Sequence, residues 1–122
     1  MSDIAWTDVA SDIEATATTR DFRVQHDQGE VPGALWLPAD APPKALILVG
    51  HGGSRHKREV TKLAFIEEAV ERNGFAVAAI DGPLHGARRG DRSPEPGDTQ
   101  KDFLDLWQSS GNGIASMLAD WQ

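Results

Sequence analysis

Two unbroken apolar runs divide the chain, Leu46-Ile47-Leu48-Val49 and Phe75-Ala76-Val77-Ala78-Ala79-Ile80. A strand covered on both faces reads as a continuous apolar run, so both segments predict buried strands. Between them the period changes. Val60, Leu63, Ala64, Glu67 and Val70 mark a stripe at helical spacing, widened by Phe65, Ile66 and Ala69. Glu67, Glu68 and Glu71 fall mostly on the solvent side. Asn73-Gly74 supplies a stop, because glycine takes the left-handed position after a helix without a Cβ penalty. The spacing therefore predicts a helix over about 57–73. Strand, helix and strand make a βαβ unit with parallel strands and a right-handed crossover.

Upstream, Thr16 to Asp27 reads as extended, with Phe22 and Val24 on one face at period two. Asp27-Gln28-Gly29-Glu30 is a turn signal, and Val31 to Leu37 is a second extended segment. Pro32 suits an edge or a strand start. The pair predicts an antiparallel hairpin, with Trp36 half-buried in it and Pro38 to Pro43 as the connector out of it. Residues 1–15 show no clean period and are expected to form a frayed helix or an irregular N-terminal arm ahead of the domain, which runs over 16–122. Downstream, Asp81 to Asp98 is a long polar loop rich in glycine, proline and arginine; loops of this length are often functional. Asp98-Thr99 opens a last helix, with Thr99 and Asp102 spaced as a capping pair. Its apolar side is Phe103, Leu106, Trp107, Ser110, Ile114, Met117, Leu118 and Trp121, with Trp107 and Trp121 expected in the core. Gly111-Asn112-Gly113 interrupts it. His26 has no evident role.

Composition narrows the classes. The chain has 122 residues, no cysteine and a net charge of −7. That balance argues against nucleic-acid binding, and without cysteine there is neither a disulfide nor thiolate chemistry. No apolar run approaches the roughly 20 residues of a membrane span. The acidic start, Met1-Ser2-Asp3-Ile4-Ala5-Trp6-Thr7-Asp8, lacks the pattern of a signal peptide, which predicts a cytoplasmic protein. The charge is unevenly placed: −5 over residues 1–50, +2 over 51–92 and −4 over 93–122. The basic residues cluster as Arg55, Lys57, Arg58 and Lys62, and as Arg88, Arg89 and Arg92. Solvated loops and a local attraction for anionic substrates both remain open as readings.

The first apolar strand runs into Gly50-His51-Gly52-Gly53-Ser54, a turn whose glycines let backbone N–H groups approach a ligand. This turn, with Val31-Pro32-Gly33-Ala34-Leu35-Trp36-Leu37-Pro38 before it and Ala78-Ala79-Ile80-Asp81-Gly82-Pro83-Leu84-His85-Gly86 after it, resembles the first half of an α/β-hydrolase. The similarity is to the broad group of dienelactone hydrolases, esterases and acyl-peptidases, over roughly residues 16–122. The resemblance implies an α/β fold: an antiparallel hairpin leading into a parallel βαβ unit plus a C-terminal helix, truncated before the nucleophile elbow. It implies serine-type hydrolysis of an ester, lactone or acyl-peptide bond in the full-length form, on a small-molecule substrate and without a cofactor.

In that family the turn after the third strand supplies an N–H of the oxyanion hole. By match to the motif, the donor is the N–H of Gly53, with Ser54 second. His51 holds the turn rather than serving as base, and His51, Gly52, His85 and Arg88 lie on the substrate side. His85-Gly86 shapes the second loop. The nucleophile, acid and histidine that complete the site are implied to lie beyond Gln122, which makes the chain inactive alone. The resemblance also places the strand that begins at Leu46 between two others. Without its second neighbour it is an exposed apolar edge, open to self-association or complementation.

Three other readings stay open. Gly52-Gly53-Ser54-Arg55-His56 lies between a strand and a helix, and Asp81 and His85 follow it in the order serine, acid, histidine. A compact hydrolase would use Ser54 as nucleophile and His85, oriented by Asp81, as base. His56 is bulky where such elbows need a small residue. A non-enzymatic α/β binding module is the second; the turn fits neither a dinucleotide fingerprint nor a P-loop. A metal site from His51, His56, His85 and Asp81 is the third, disfavoured because no zinc-type spacing exists and the neighbours are basic.

Overall fold

The computed structural model describes residues 3–9, 17–26, 29–62, 64–110 and 113–122. Five strands form one mixed sheet: β1 (Ile4–Val9), β2 (Ala17–His26), β3 (Gly29–Pro38), β4 (Leu46–Leu48) and β5 (Ala76–Ile80). Their spatial order is β1-β2-β3-β5-β4. The hairpin β2–β3 is antiparallel with Phe22 opposite Gly33, β5 runs antiparallel to β3, and β4 lies parallel to β5. The parallel ladder extends past β4 at both ends, since Lys44 N–H donates to Gly74 C=O and Val49 N–H to Ala78 C=O, each at 2.9 Å.

The crossover from β4 to β5 is helical but not one regular α-helix. Lys57–Lys62 is a 3₁₀ segment, Ala64–Glu67 (α1) a single α turn, and Glu68–Arg72 is wound with the wider π spacing. Asn73 N–H reaches back five residues to Glu68 C=O, and Gly74 then reverses the chain at φ +69°. Phe75 N–H closes the end on Ala69 C=O at 2.9 Å. The glycine stop thus falls at the expected place, while the expected regular winding over 57–73 does not occur. The apolar stripe meets the sheet all the same. Val60, Ile66, Ala69 and Val70 pack on Ala34, Trp36, Val77 and Ala79, with Val49 closing the end. Trp36 is 0% exposed, so it is the centre of the core rather than half-buried.

Three other expectations change. Residues 4–9 form an edge strand paired with β2, not an arm outside the sheet, although residues 10–16 lie outside the described part. The reason is local: Ile4 and Trp6 alternate with Ala5 and Thr7, and Trp6 stacks against Phe22 at 5.4 Å, with the Arg20 guanidinium 4.9 Å from the indole centre. The last helix begins at Pro96 as α2 (Pro96–Ser110), ahead of the expected Asp98-Thr99, because proline's fixed φ suits a first helical position. A separate α3 (Gly113–Trp121) follows; Gly111 and Asn112 are outside the described residues, as is the side chain of Ile114. Trp107 is exposed beside Phe103 rather than in the core.

β5 is buried along its whole length. β4 is not: Ile47 faces the core, whereas Leu46 and Leu48 are 57% and 55% exposed at the edge of the sheet. They join Trp6, Phe22, Val24 and Leu35 in an open apolar trough of about 610 Å³, on the sheet face opposite the crossover. Among the described residues no helix is long and apolar enough to cross a membrane.

Candidate functional site

The two loops that leave the C-terminal ends of β4 and β5 meet, and each is built on a tight turn. In the first, Arg55 N–H donates to Gly52 C=O at 3.1 Å, with Ser54 at φ +62° in the third position. In the second, His85 N–H donates to Gly82 C=O at 3.0 Å, with Leu84 at φ +60° in the third position. A positive φ there is the pattern of a type II turn, and Pro83 occupies the second position, where proline pre-sets φ. Left-handed backbone costs a non-glycine residue roughly 1–2 kcal/mol, so bonds elsewhere must hold both turns.

Those bonds come largely from two histidines. His51 Nε2 accepts the N–H of Gly82 at 2.9 Å, and its Nδ1 lies 2.8 Å from Gly52 C=O. His85 Nε2 accepts the N–H of Ser54 at 3.1 Å, and its Nδ1 lies 2.8 Å from Pro83 C=O. An imidazole nitrogen facing an N–H must be the bare acceptor. The network therefore assigns both rings to the neutral Nδ1–H form, each donating to a nearby carbonyl. The rings sit 5.0 Å apart, and the edge of Phe103 from α2 closes over His85 at 5.0 Å. His85 is buried, and burial is the main reason its pKa lies below the ordinary 6.5. His51 and Arg89 push the same way; the bond to Pro83 and the Asp81 carboxylate oppose them.

Asp81, at the end of β5, braces the second loop. Its carboxylate accepts from the backbone N–H of Lys57 at 2.8 Å, the Lys57 ammonium at 2.9 Å and the N–H of Ala87 at 2.9 Å. Gly86 is required beside it: an added Cβ would come 2.4 Å from Asp81 Oδ1, at a backbone φ of +52°. Lys57 is the partner that the sequence did not single out. It sits in a run of basic residues and nothing in that run marks it as the one that turns inward.

Most of the clustered basic residues are in such pairs. Arg88 donates to Asp120 of α3 at 2.6 Å and to Asp81 C=O at 3.3 Å. Arg89, buried, donates to Ser93 C=O, Leu84 C=O and Asp102, and Arg92 pairs with Asp102 as well. Asp102 has its pKa held below the usual carboxylate value, first by the hydrogen bond from Arg89. Arg55 pairs with Glu59, and Arg58 with Asp21. Six of the seven clustered basic side chains are thus paired with carboxylates, and Arg88 meets Asp120 through Nη1.

Two further expectations need correction. Ser54 N–H is taken by His85, so it is not available as the second oxyanion donor in this arrangement. The compact triad is not assembled either. The Ser54 hydroxyl donates to Pro96 C=O at 2.8 Å, His85 turns Nδ1 to Pro83 and not to Asp81, and Asp81 is occupied by Lys57 and Ala87. Among the described residues no cluster of three or more histidine, aspartate or glutamate side chains is placed to hold a metal ion. His56 lies against Glu59 rather than with the His51–His85 pair. Gly52 and Gly53 are exposed, and a small cleft of about 50 Å³ is lined by Gly50, His51, Gly82, Pro83, Met117 and Trp121.

Solved structures resemble this chain in fold. A cold-adapted esterase from an Arctic intertidal metagenomic library, in its PEG-bound form, is 30% identical over 96% of this chain, with a TM-score of 0.69. Its native structure gives 28% identity over the same share and a TM-score of 0.57. An acetyl xylan esterase from Paenibacillus sp. R4 shares the fold at 14% identity and a TM-score of 0.53. The chain spans 46%, 43% and 42% of those three chains, less than half of each. No family model matches, and no curated protein does.

Proposed function

We propose, on the premise that the chain has the fold of the N-terminal part of an α/β-hydrolase, that it carries the oxyanion-hole side of an esterase-type acyl-transfer site. The substrate class is an ester, lactone or acyl-peptide bond, hydrolysed by a serine-type mechanism in the full-length form. Gly53 supplies the backbone N–H. One observation carries the reading: the exposed Gly53 sits at the end of β4, in a turn held on both sides by bonds to histidine. A fixed N–H dipole stabilises the negative charge that develops on the substrate carbonyl oxygen, because it needs no reorganisation when the charge appears. On this reading the nucleophile and its base belong to the full-length form, and the chain by itself is not expected to hydrolyse esters. The reading includes a cytoplasmic setting, drawn from the acidic N-terminal residues, and self-association through the β4 edge.

The test uses a chimera in which this chain replaces the matching part of the cold-adapted esterase. Gly53 holds the second position of its turn and its φ is not left-handed, so proline fits the backbone there while deleting the N–H. Alanine fits too, since a Cβ at Gly53 meets nothing within 4 Å, and it keeps the N–H. In the chimera Gly53→Pro is expected to lower kcat for p-nitrophenyl acetate by about 10²–10³-fold, with Gly53→Ala close to the parent. Equal rates for the two variants would remove Gly53 from the mechanism.

A further inference from the structure

We propose that His51 and His85 are a reciprocal pair of positioning residues that aim the Gly53 N–H, and that they do so only while both rings are neutral. The proposal rests on the oxyanion reading for its purpose, and on the bonds themselves for its mechanism. A peptide unit is planar and trans, so its C=O and N–H point in opposite directions. The unit joining Gly52 to Gly53 has its carbonyl oxygen held by the N–H of Arg55 at 3.1 Å and by His51 Nδ1 at 2.8 Å. Pinning that oxygen fixes the Gly53 N–H on the other side. The next unit has its N–H, that of Ser54, held by His85 Nε2 at 3.1 Å. Both peptide planes that flank the Gly53 Cα are thus set by imidazoles, at a residue whose missing Cβ would otherwise leave it free to turn.

The pair is reciprocal because each ring reaches across. His51 comes from the first loop and takes the Gly82 N–H of the second, while His85 comes from the second and takes the Ser54 N–H of the first. Loss of either ring loosens the loop that presents the other. A proton added to Nε2 of either ring sets two N–H groups against each other and opens the contact. The charged groups around the pair bear on where that happens. Asp81 and Arg89 flank His85 from its own loop, and Asp81 is itself held by Lys57. Asp120 of α3 lines the cleft with His51 and is paired with Arg88. From α2 the ring that faces His85 is Phe103, which does not titrate. Burial of His85 favours its neutral form, so the pair stays closed at neutral pH and opens in acid.

The readout is amide exchange in the 122-residue chain by NMR, as protection relative to the intrinsic rate at each pH. Ser54 and Gly82 are expected to be protected at about pH 7.5, and to lose protection together as the pH falls towards about 5. His85→Phe keeps a ring but no acceptor, and is expected to lower Ser54 protection about tenfold, the loss of one hydrogen bond. His85→Gln restores an acceptor and is expected to restore most of the protection while weakening the pH dependence at Ser54 to the part that reaches it through His51. His51→Phe is expected to lower protection at Ser54 as well as at Gly82, although His51 does not bond Ser54. Protection that is constant across that pH range in the parent chain overturns the proposal without any variant. So does a His51→Phe effect confined to Gly82. The exchange measurement involves no catalysis, whereas the Gly53→Pro chimera involves no titration, so the pair and the oxyanion reading fail separately.

Discussion

Replacing Asp81 by alanine should be among the most damaging single changes in the chain. The carboxylate is 0% exposed and accepts three hydrogen bonds, two from Lys57 and one from Ala87. Its removal leaves an ammonium whose side chain is 13% exposed without a counter-ion, and two backbone N–H groups without their acceptor. Breaking a buried pair on one side costs about 3–5 kcal/mol. Lys57 retains a small opening to water, which lowers that figure, while the two stranded N–H groups raise it by about 1–3 kcal/mol each if they stay dry. These contributions overlap, and about 4 kcal/mol is the expected loss. For a domain of this size about 4 °C of melting temperature accompanies each kcal/mol, so the midpoint should fall by about 15 °C. Thermal melts followed by circular dichroism at neutral pH measure it. A double-mutant cycle sharpens the reasoning: Asp81→Asn with Lys57→Met removes both charges, and the pair of changes should cost about 2 kcal/mol less than their sum. A melting point within about 3 °C of the parent for Asp81→Ala, or strict additivity in the cycle, would refute the claim that this ion pair braces the loop.

Gly86→Ala should damage the same brace from the other side. The new methyl would press on the Asp81 carboxylate at a left-handed φ, so a loss of about 2 kcal/mol or more is expected in urea melts, against near-neutrality if the contact is unimportant. Acid should weaken the fold through His85. Its folded pKa is depressed, chiefly by burial, so the unfolded chain binds the extra proton more readily. The associated stability is complete above about 6.5 and is lost as pH falls through the folded value, at up to about 1.4 kcal/mol per pH unit. Urea midpoints of the parent and of His85→Gln across that window should diverge, and parallel profiles would exclude His85 as the cause. At the sheet edge, Leu46→Lys with Leu48→Lys should change stability by no more than about 0.5 kcal/mol, because both side chains are already exposed. It should shift sedimentation from associated species to monomer; a parent chain that is already monomeric at about 100 µM would remove the edge as an association surface.

Much of the fold was legible because its determinants are local or periodic. The hairpin follows from alternation at Phe22 and Val24 and from the turn near Gly29. The β4–β5 unit follows from two apolar runs around a helical stripe, and the structure pairs those strands in parallel. β1 was hidden because only Ile4 and Trp6 carry its alternation, among the aspartates of residues 1–15, and because its partners lie ten to twenty residues away. The irregular winding of the crossover was hidden for a different reason. A hydrophobic stripe fixes which face meets the sheet, but 3₁₀, α and π windings present nearly the same stripe over so short a length. Trp36 was placed too near the surface because a hairpin read alone has no second layer. The crossover helix supplies that layer, and only the tertiary packing shows it.

The turn was legible and the work of the charges was not. Glycines, a histidine and a strand end suffice to predict a tight turn at Gly52–Arg55, because backbone freedom is a property of sequence. What the neighbouring charges do is a property of distance. Seven basic residues in two clusters read as a field for anions, yet Arg55, Lys57, Arg58, Arg88, Arg89 and Arg92 each pair with a carboxylate, several of them from elements far along the chain. Their use is mechanical. The loop from Asp81 to Pro96 has only one short 3₁₀ segment, Gly86–Arg89, to satisfy its backbone, and it carries a leucine in left-handed backbone. Such a loop keeps one shape only if side chains take over the work of a ladder. Asp81, Arg88 and Arg89 do this by binding backbone groups as well as their own charged partners Lys57, Asp120 and Asp102. The consequence reaches the turn at Gly53. His85 can hold the Ser54 N–H only if its own loop is rigid, so the direction of one exposed N–H depends on ion pairs that never touch it.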